Sequence, residues 1–432
     1  MTTSPPPDHQ RPHRRRLRSP RLPAVLRDEP QYRLLFTGQL LSILGDRVTG
    51  VVLPFAVLAV GGHVGDVAIV SAAQFLPFAV LALPAGVWAD RYNRKHILIA
   101  SDVTRFLCQL TAGLLLVTDH AGVATLAALA AFYGAADAFF APAFTGLLPG
   151  TVTPANLQPA NALRGLSFST GSIAGPVLGG LLVAFAGGPG GALLFDAVTF
   201  LVSIGCLLPL RPTLVAETLH DEDPAATTNH FLTSLREGWA EVRSRSWVLA
   251  YLGGMATYHA IVLPAIFVLG PVLAADELDG ARSWAIITAG FGLGAVLGDL
   301  LLLRWRPQFA LRVGALMLIG ASCQAAFIGS GLGVWAIAGL EVLAGICVTG
   351  TFTLWETSLQ EHVPDRALSR VSSYDYLFSA GMIPVGNLAV GSVSAAAGVR
   401  PTLAVMTVLG VGAALAVLAV PAVRRLPRPV LA

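Results

Sequence analysis

Lysine is almost missing from these 432 residues: Lys95 is the only one, and it lies between Arg94 and His96. A phosphate-cradling GxxxxGK[ST] loop needs a lysine in a different setting, so an ATP-driven pump is excluded. No lysine is left inside an apolar segment to form a Schiff base. Cysteine is nearly as scarce. Cys108, Cys206, Cys323 and Cys347 all fall within apolar runs and far from any paired spacing, which argues against both a disulfide framework and a zinc site. Neither a His-Glu-x-x-His pattern nor a nucleophile elbow occurs, and no residues for a covalent catalytic step are visible. Charge is the last shortage. Only 12% of the chain is Asp, Glu, Lys or Arg, against about 25% in an ordinary soluble domain, so the chain lacks the polar surface to face water on all sides.

In place of charge there is apolar length. Hydrophobic residues make up 54% of the chain, and runs of about twenty recur, each long enough to cross a hydrocarbon core of about 30 Å as a helix. Twelve spans are expected, at 34–60, 67–88, 97–118, 123–147, 162–186, 191–209, 248–272, 284–303, 309–329, 333–355, 373–396 and 401–422. With both termini on the cytoplasmic side, the tails and inward loops collect the arginines, from Arg11 to Arg33, at Arg91, Arg94 and Lys95, and on to Arg424, Arg425 and Arg428. The outward loops hold only Arg282 and Arg400. That asymmetry sets the orientation. It also makes the net charge of +3 a membrane-topology signal rather than a nucleic-acid footprint. The Arg- and Pro-rich start, residues 1–30, has no apolar core and reads as a disordered cytoplasmic tail rather than a cleaved signal. The preference for arginine over lysine points to a GC-rich bacterial genome.

The chain also repeats itself. Val52-Leu53-Pro54 in the first span recurs as Val262-Leu263-Pro264 in the seventh, Pro176 answers to Pro384, and the basic loop Arg91, Arg94, Lys95 answers to Arg304 and Arg306. Three matches in order, all offset by about 210 residues, describe two related six-helix halves. The halves are expected at 31–210 and 248–423, joined by a cytoplasmic linker at 211–247, with a short tail at 424–432. Asp221-Glu222-Asp223-Pro224 marks a loop in that linker. Phe231, Leu235, Trp239 and Val242 follow at helical spacing, as in a helix lying along the membrane face or in a plain loop helix.

Twelve spans in a 6+6 arrangement, with the loop GVWADRYNRK after the second, resemble the major facilitator superfamily, a fold of two six-helix halves. LLSILGD, PAGVWADRYNRK, LRGLSFSTGSIAGPVLGGLL and LREGWAEVRSRSW resemble in particular its twelve-helix drug:proton antiporter branch, which contains enterobactin exporters and macrolide efflux proteins. The resemblance implies an inner gate at Gly86, Asp90, Arg91, Arg94 and Lys95, latching toward the start of the eleventh span near Ser372 and Ser373. The alternative is that these charges only set topology. The second copy keeps Arg304 but has no acid in the expected place.

Gly171, Gly175 and Gly179 in the fifth span fall four apart, beside Pro176 and Gly180, and Gly290, Gly294 and Gly298 repeat the spacing in the eighth. Small residues on one helix face admit a close neighbour, and the two stripes are expected to pack on each other across the interface between halves. The span-five pattern resembles the antiporter motif of the family. Generic small-residue packing is the plainer reading.

Ionisable residues within hydrocarbon are costly and normally face a cavity or a partner. Asp46 lies roughly 18 Å into the first span, at 1.5 Å per residue, next to Arg47. Asp137 lies near the middle of the fourth and Glu341 in the outer half of the tenth. A carboxylate that exchanges a proton there supplies the minimum chemistry of proton coupling, or binds a cationic substrate. Asp46 and Asp137 lead, followed by Glu341. A static ion pair with Arg47 or Arg164 is the competing reading. Asp102 and Arg105, three apart, read as a structural pair, and His259 as a satisfied polar group. Phe75, Phe132, Tyr133, Phe139, Phe140, Tyr258, Gln324 and Trp355 suit either a broad apolar cavity or packing.

The expected activity is therefore secondary transport: a monomeric, cofactor-free, metal-free exporter in the bacterial cytoplasmic membrane, exchanging a small hydrophobic or amphipathic molecule for protons. A proton-coupled nutrient importer is the nearest alternative, and a membrane-embedded receptor or enzyme the alternative of another class.

Overall fold

The structure, a computed structural model, describes residues 23–212, 236 and 238–429. Among these, twelve helical spans are long and apolar enough to cross a membrane, and no strand occurs. The first six are α1 (Pro30–Ala59), α2 (Val64–Arg91), α3 (Arg94–Val117), α4 (Val123–Leu147), α5 (Leu157–Phe185) and α6 (Gly188–Leu207). The second six are α7 (Ser246–Glu277), α8 (Ala281–Arg304), α9 (Ala310–Ile328), α10 (Val334–His362), α11 (Asp365–Ala380 continued by Met382–Ala397) and α12 (Val399–Ala419).

Helix α7 shows what its proline costs. Pro264 has no N–H and its ring would clash with the carbonyl four residues back. The backbone widens into π-turns at Tyr258–Val262 and Ala265–Leu269, and Leu263 N–H donates to Tyr258 O at 3.0 Å. The repeat partner Pro54 sits inside an ordinary α-helix. The widened turns lie where α7 meets the bundle interior, a common place for such bulges.

Three of the four apolar clusters among the described residues define the shape. At the end away from the GVWADRYNRK loop, one apolar cluster draws on both sets of six helices, including Val52, Ala56 and Val67 from the first and Leu269, Trp284 and Val390 from the second. At the loop end the clusters are separate. Tyr32, Leu98, Phe144 and Leu207 belong to one, and Tyr251, Leu311, Trp355 and Val417 to the other. The bundle is clasped at one end and divided at the other.

The clasp depends on small residues, but not as the sequence suggested. A Cβ on Gly171, Gly175 or Gly179 would meet α1, at Ile43, Arg47 and Val48 respectively. One on Gly290, Gly294 or Gly298 would meet carbonyls of α10, at Ala338, Val342 and Ile346. Each stripe serves a neighbour within its own six helices, and the expected face-to-face pairing does not occur. Helices α5 and α8 do pack across the halves, through Gly180 against Ala285 and Gly292 against the Ser172 carbonyl. A small stripe licenses close approach to any helix, and its spacing does not say which one. The second contact across the clasp is α2 on α11, where Gly391 lies against Ala68 and Gly65.

Two further expectations need adjusting. The tail expected to be disordered through residue 30 includes a short helix, Ala24–Asp28, because Val25 and Leu26 are apolar enough to bury in the loop-end core; residues 1–22 lie outside the described residues. In the linker, 213–235 and 237 lie outside them too, Phe231 and Leu235 included. Residues 238–244 are helical, with Val242 fully buried and Trp239 packed on Tyr374 and Phe378 of α11 at ring separations of 5.5 and 6.4 Å. That apolar face meets protein rather than lipid.

Candidate functional site

A cavity of about 560 Å³ lies between the two sets of six helices, lined by Asp46, Arg47, Tyr133, Asp137, Arg164, Tyr258, His259 and Glu341 among others. Phe75, Phe140 and Phe352 supply much of its apolar wall. Phe132 and Phe139 instead line a groove between α2, α3 and α4, and Trp355 is buried against Tyr251.

In the first half one cation organises the carboxylates. Arg105 of α3 is fully buried, and its guanidinium lies over the rings of Phe140 (4.8 Å) and Phe200 (4.5 Å). Nη2 donates to Asp102 Oδ1 at 2.6 Å, while Nη1 reaches Asp46 of α1 and Asp137 of α4, each at 3.3 Å. A planar fork of donors between aromatic faces suits arginine and no other side chain. Tyr133 donates to Asp46, and Ser203 of α6 donates to Asp102 Oδ2 at 2.7 Å. The side chains of Asp46 and Asp137 are 27% and 37% exposed, whereas that of Asp102 is fully buried, so only the first two are reachable from the cavity.

This changes the reading of four residues. Asp102 and Arg105 are no isolated structural pair, because Arg105 is the hub of the cluster. Arg47 forms no ion pair among the described residues, its stem lying over Gly171 and Gly175. Arg164 stacks on Phe144 at 4.9 Å and Phe168 at 5.8 Å instead of neutralising Asp46 or Asp137. Both alternatives were nearer in sequence or span order, but it is Arg105 of α3 that comes within reach of Asp46 and Asp137 together.

A fourth carboxylate, Asp196 of α6, was not singled out from the sequence. The rule that flagged Asp46, an acid inside an apolar run, applies to it equally. It is fully buried. Thr49 and Gln109 each donate to its Oδ2 at 2.7 Å, and Thr199 donates to its Oδ1 at 3.1 Å. Gly45 makes the approach possible, since a Cβ there would collide with Asp196 and Thr199. No cation pairs with Asp196 among the described residues. Around Arg105, then, three buried or half-buried acids share one buried cation, and Asp196 stands beside them without one among the described residues.

The second half holds a single acid in the cavity wall. Glu341 of α10 is 2% exposed; Gln324 of α9 donates to its Oε2 at 2.7 Å, and Tyr258 donates to Gln324 Oε1 at 3.2 Å. Glu341 Oε1 has no hydrogen-bond partner among the described residues. His259 uses Nδ1 on the Met255 carbonyl at 2.8 Å, which agrees with its reading as a satisfied polar group.

At the expected inner gate, Arg94 donates to the Gly146 carbonyl at 2.8 Å, and Lys95 Nζ to the carbonyls of Leu208 and Leu210 at 2.7 and 2.8 Å. These cations cap the ends of α4 and α6, as basic groups favour at helix C-termini. Gly86 has open space where a Cβ would stand, and Arg91 is exposed. The side chains of Asp90 and Ser373 lie outside the described residues.

Two packed sets of six spans around a largely apolar central cavity that bears Asp46, Asp137 and Glu341 have the build of a multi-pass membrane transporter. The model of the Major Facilitator Superfamily matches residues 35–386, and the chain belongs to that family. It is 28% identical over 368 residues to the enterobactin exporter EntS of Escherichia coli, covering 81% of this chain and 82% of that one. It is likewise 28% identical over 414 residues to the multidrug efflux pump Tap of Mycobacterium tuberculosis, covering 92% and 94%. Among solved structures, a peptide transporter POT in complex with sulfate superposes with a TM-score of 0.74 at 13% identity, over 93% of this chain and 96% of that one. A bacterial homologue of the iron transporter ferroportin, in an inward-facing state, gives 0.69 at 16%, over 90% and 99%.

Proposed function

We propose that this chain exports a small hydrophobic or amphipathic molecule across the bacterial cytoplasmic membrane in exchange for protons, by alternating access, as a monomer with both termini cytoplasmic. The domain scheme is the one read from the sequence: tails at 1–30 and 424–432, halves at 31–210 and 248–423, and a linker at 211–247. On this orientation the divided end faces the cytoplasm and the clasped end faces outward. Asp90 with Arg91, Arg94 and Lys95 then forms the inner gate.

The observation that carries the proposal is the ratio of three acids to one arginine around Arg105, with Asp196 buried close by and without a cation among the described residues. With every acid ionised the cluster holds a large excess of negative charge in a region where unpaired charge is expensive. Protons are the simplest ligands to relieve it, and Asp46 and Asp137 are the two acids that meet the cavity. Loading the cavity from one side and the acids from the other gives antiport. The names of EntS and Tap support the outward direction.

The test is transport in inverted membrane vesicles with an imposed pH gradient. Uptake of an amphipathic drug should appear with the gradient and collapse with an uncoupler. D46N and D137N should each abolish gradient-driven uptake while leaving the protein folded. Uptake that survives the uncoupler, or survives in both variants, would overturn the proposal.

A further inference from the structure

The two halves treat their acids differently. In the first, Arg105 is built in as a partner. In the second, Glu341 has no ion pair among the described residues, and its two oxygens are unequal: Oε2 is engaged by the Gln324 amide, while Oε1 is buried without a donor. Gln324 is itself fixed by Tyr258, so the side chain of Glu341 is held by a short hydrogen-bonded chain from α7 through α9 to α10. The same cavity wall carries Tyr258, Phe352 and Phe291.

We infer that Glu341 is the cargo-recognition residue of the cavity, and that the cargo it selects is an organic cation bearing at least one N–H, with an apolar or aromatic body. This rests on the transporter reading above and assigns the substrate class of that site. An acceptor whose lone pairs have no donor, withdrawn from water, is completed by a donor that brings its own positive charge, and charge-assisted hydrogen bonds are about twice as strong as neutral ones. Aromatic rings around the same space favour a cation further. A cavity of about 560 Å³ falls within the range of drug-sized sites. The unsatisfied atom sharpens the class. A quaternary ammonium offers charge but no N–H and leaves Oε1 unpaired, whereas a protonated tertiary amine satisfies charge and hydrogen bond together. The first half, whose cavity acids Asp46 and Asp137 already have Arg105, is left to the coupling protons.

The experiment is equilibrium binding to the full-length protein in lipid nanodiscs, at fixed pH and with no gradient, so that it reads recognition without coupling. The probes are naphthylmethyl-dimethylammonium and its trimethyl analogue, which differ only in the N–H. The wild type should bind the tertiary probe about tenfold more tightly or better. E341Q should lose that preference, and E341D, which keeps the charge but shortens the reach, should keep part of it. Both variants should retain the thermal midpoint of the wild type to within a few degrees. Equal binding of the two probes by the wild type would overturn the inference. So would E341Q with the preference intact, or E341Q that binds as the wild type does yet no longer releases protons in vesicles. A failure of D46N to uncouple transport, with the probe preference intact, would count against proton antiport alone.

Discussion

Gly45 of α1 lies so close to Asp196 of α6 that a methyl group on it would overlap the carboxylate and the Thr199 hydroxyl. The missing side chain lets two helices meet at a point where a buried acid must also find its donors. G45A should therefore push α6 away and strip Asp196 of its bonds to Thr49 and Gln109. Overpacking of this kind typically costs about 1–3 kcal/mol, and transport should fall with it. G50A, five residues on, meets nothing within 4 Å and should be close to neutral. Thermal unfolding of both variants in detergent checks the contrast; similar losses would mean that close packing at Gly45 is not the cause.

Arg105 should tolerate no replacement. Removing it leaves Asp46, Asp102 and Asp137 without their shared cation, and breaking a buried pair costs about 3–5 kcal/mol, so R105A is expected to accumulate poorly. R105K is the more informative variant. A single ammonium cannot span Asp102 on one side and Asp46 with Asp137 on the other. R105K should fold and lose most transport, which expression level and vesicle uptake measured on the same preparation would separate.

The spans themselves were legible because a charge-poor chain repeats apolar runs at membrane length, and length with hydropathy is a local property. The edges were less so. Helix α11 begins at Asp365 rather than near 373, because its first turns carry Asp, Arg and Ser and extend beyond the apolar stretch. Asp46 and Asp137 could be picked out because a charge in such surroundings is itself abnormal. Their partner could not, because Arg105 reaches them across 59 and 32 residues of chain, and nothing local distinguishes it from Arg47. The glycine stripes failed for the same reason: the spacing is written in one helix and the neighbour is chosen by the whole bundle.

Outside the membrane, Glu29 ties the start of α1 to the turn before α5. It accepts from Thr153 N–H at 2.9 Å, Thr153 Oγ1 at 2.6 Å and Asn156 Nδ2 at 2.9 Å. These donors, Asn156 foremost, hold its carboxyl below the ordinary glutamate range. A group with a lowered folded-state pKa stabilises above its unfolded pKa and loses that contribution as pH falls through the folded value. The difference in thermal midpoint between wild type and E29Q should be largest near neutral pH and vanish toward pH 4 and below. A difference that grows on acidification would contradict the assignment.

The clasp offers a direct handle on movement. Ala68 and Gly391 are in contact across the two halves, so cysteines at both positions should cross-link on mild oxidation. If cargo leaves through that end, A68C/G391C should stop transporting when oxidised and recover on reduction, the reduced double variant serving as the control because any side chain on Gly391 already crowds Ala68. Unchanged transport by the cross-linked protein would show that this end need not open.

Because the loop-end cores are two and not one, closing that gap would break no packing inside either set of six helices. The free-energy difference between two such arrangements reduces to a comparison of two contact surfaces, one given up and one gained, with both folded bodies cancelling from the sum. A difference of that kind can be only a few kcal/mol, and one proton moved across one pH unit supplies about 1.4 kcal/mol. A molecule divided in this way can be tipped by the chemistry of a handful of acids, though its spans are bound in a membrane that would resist any larger rearrangement.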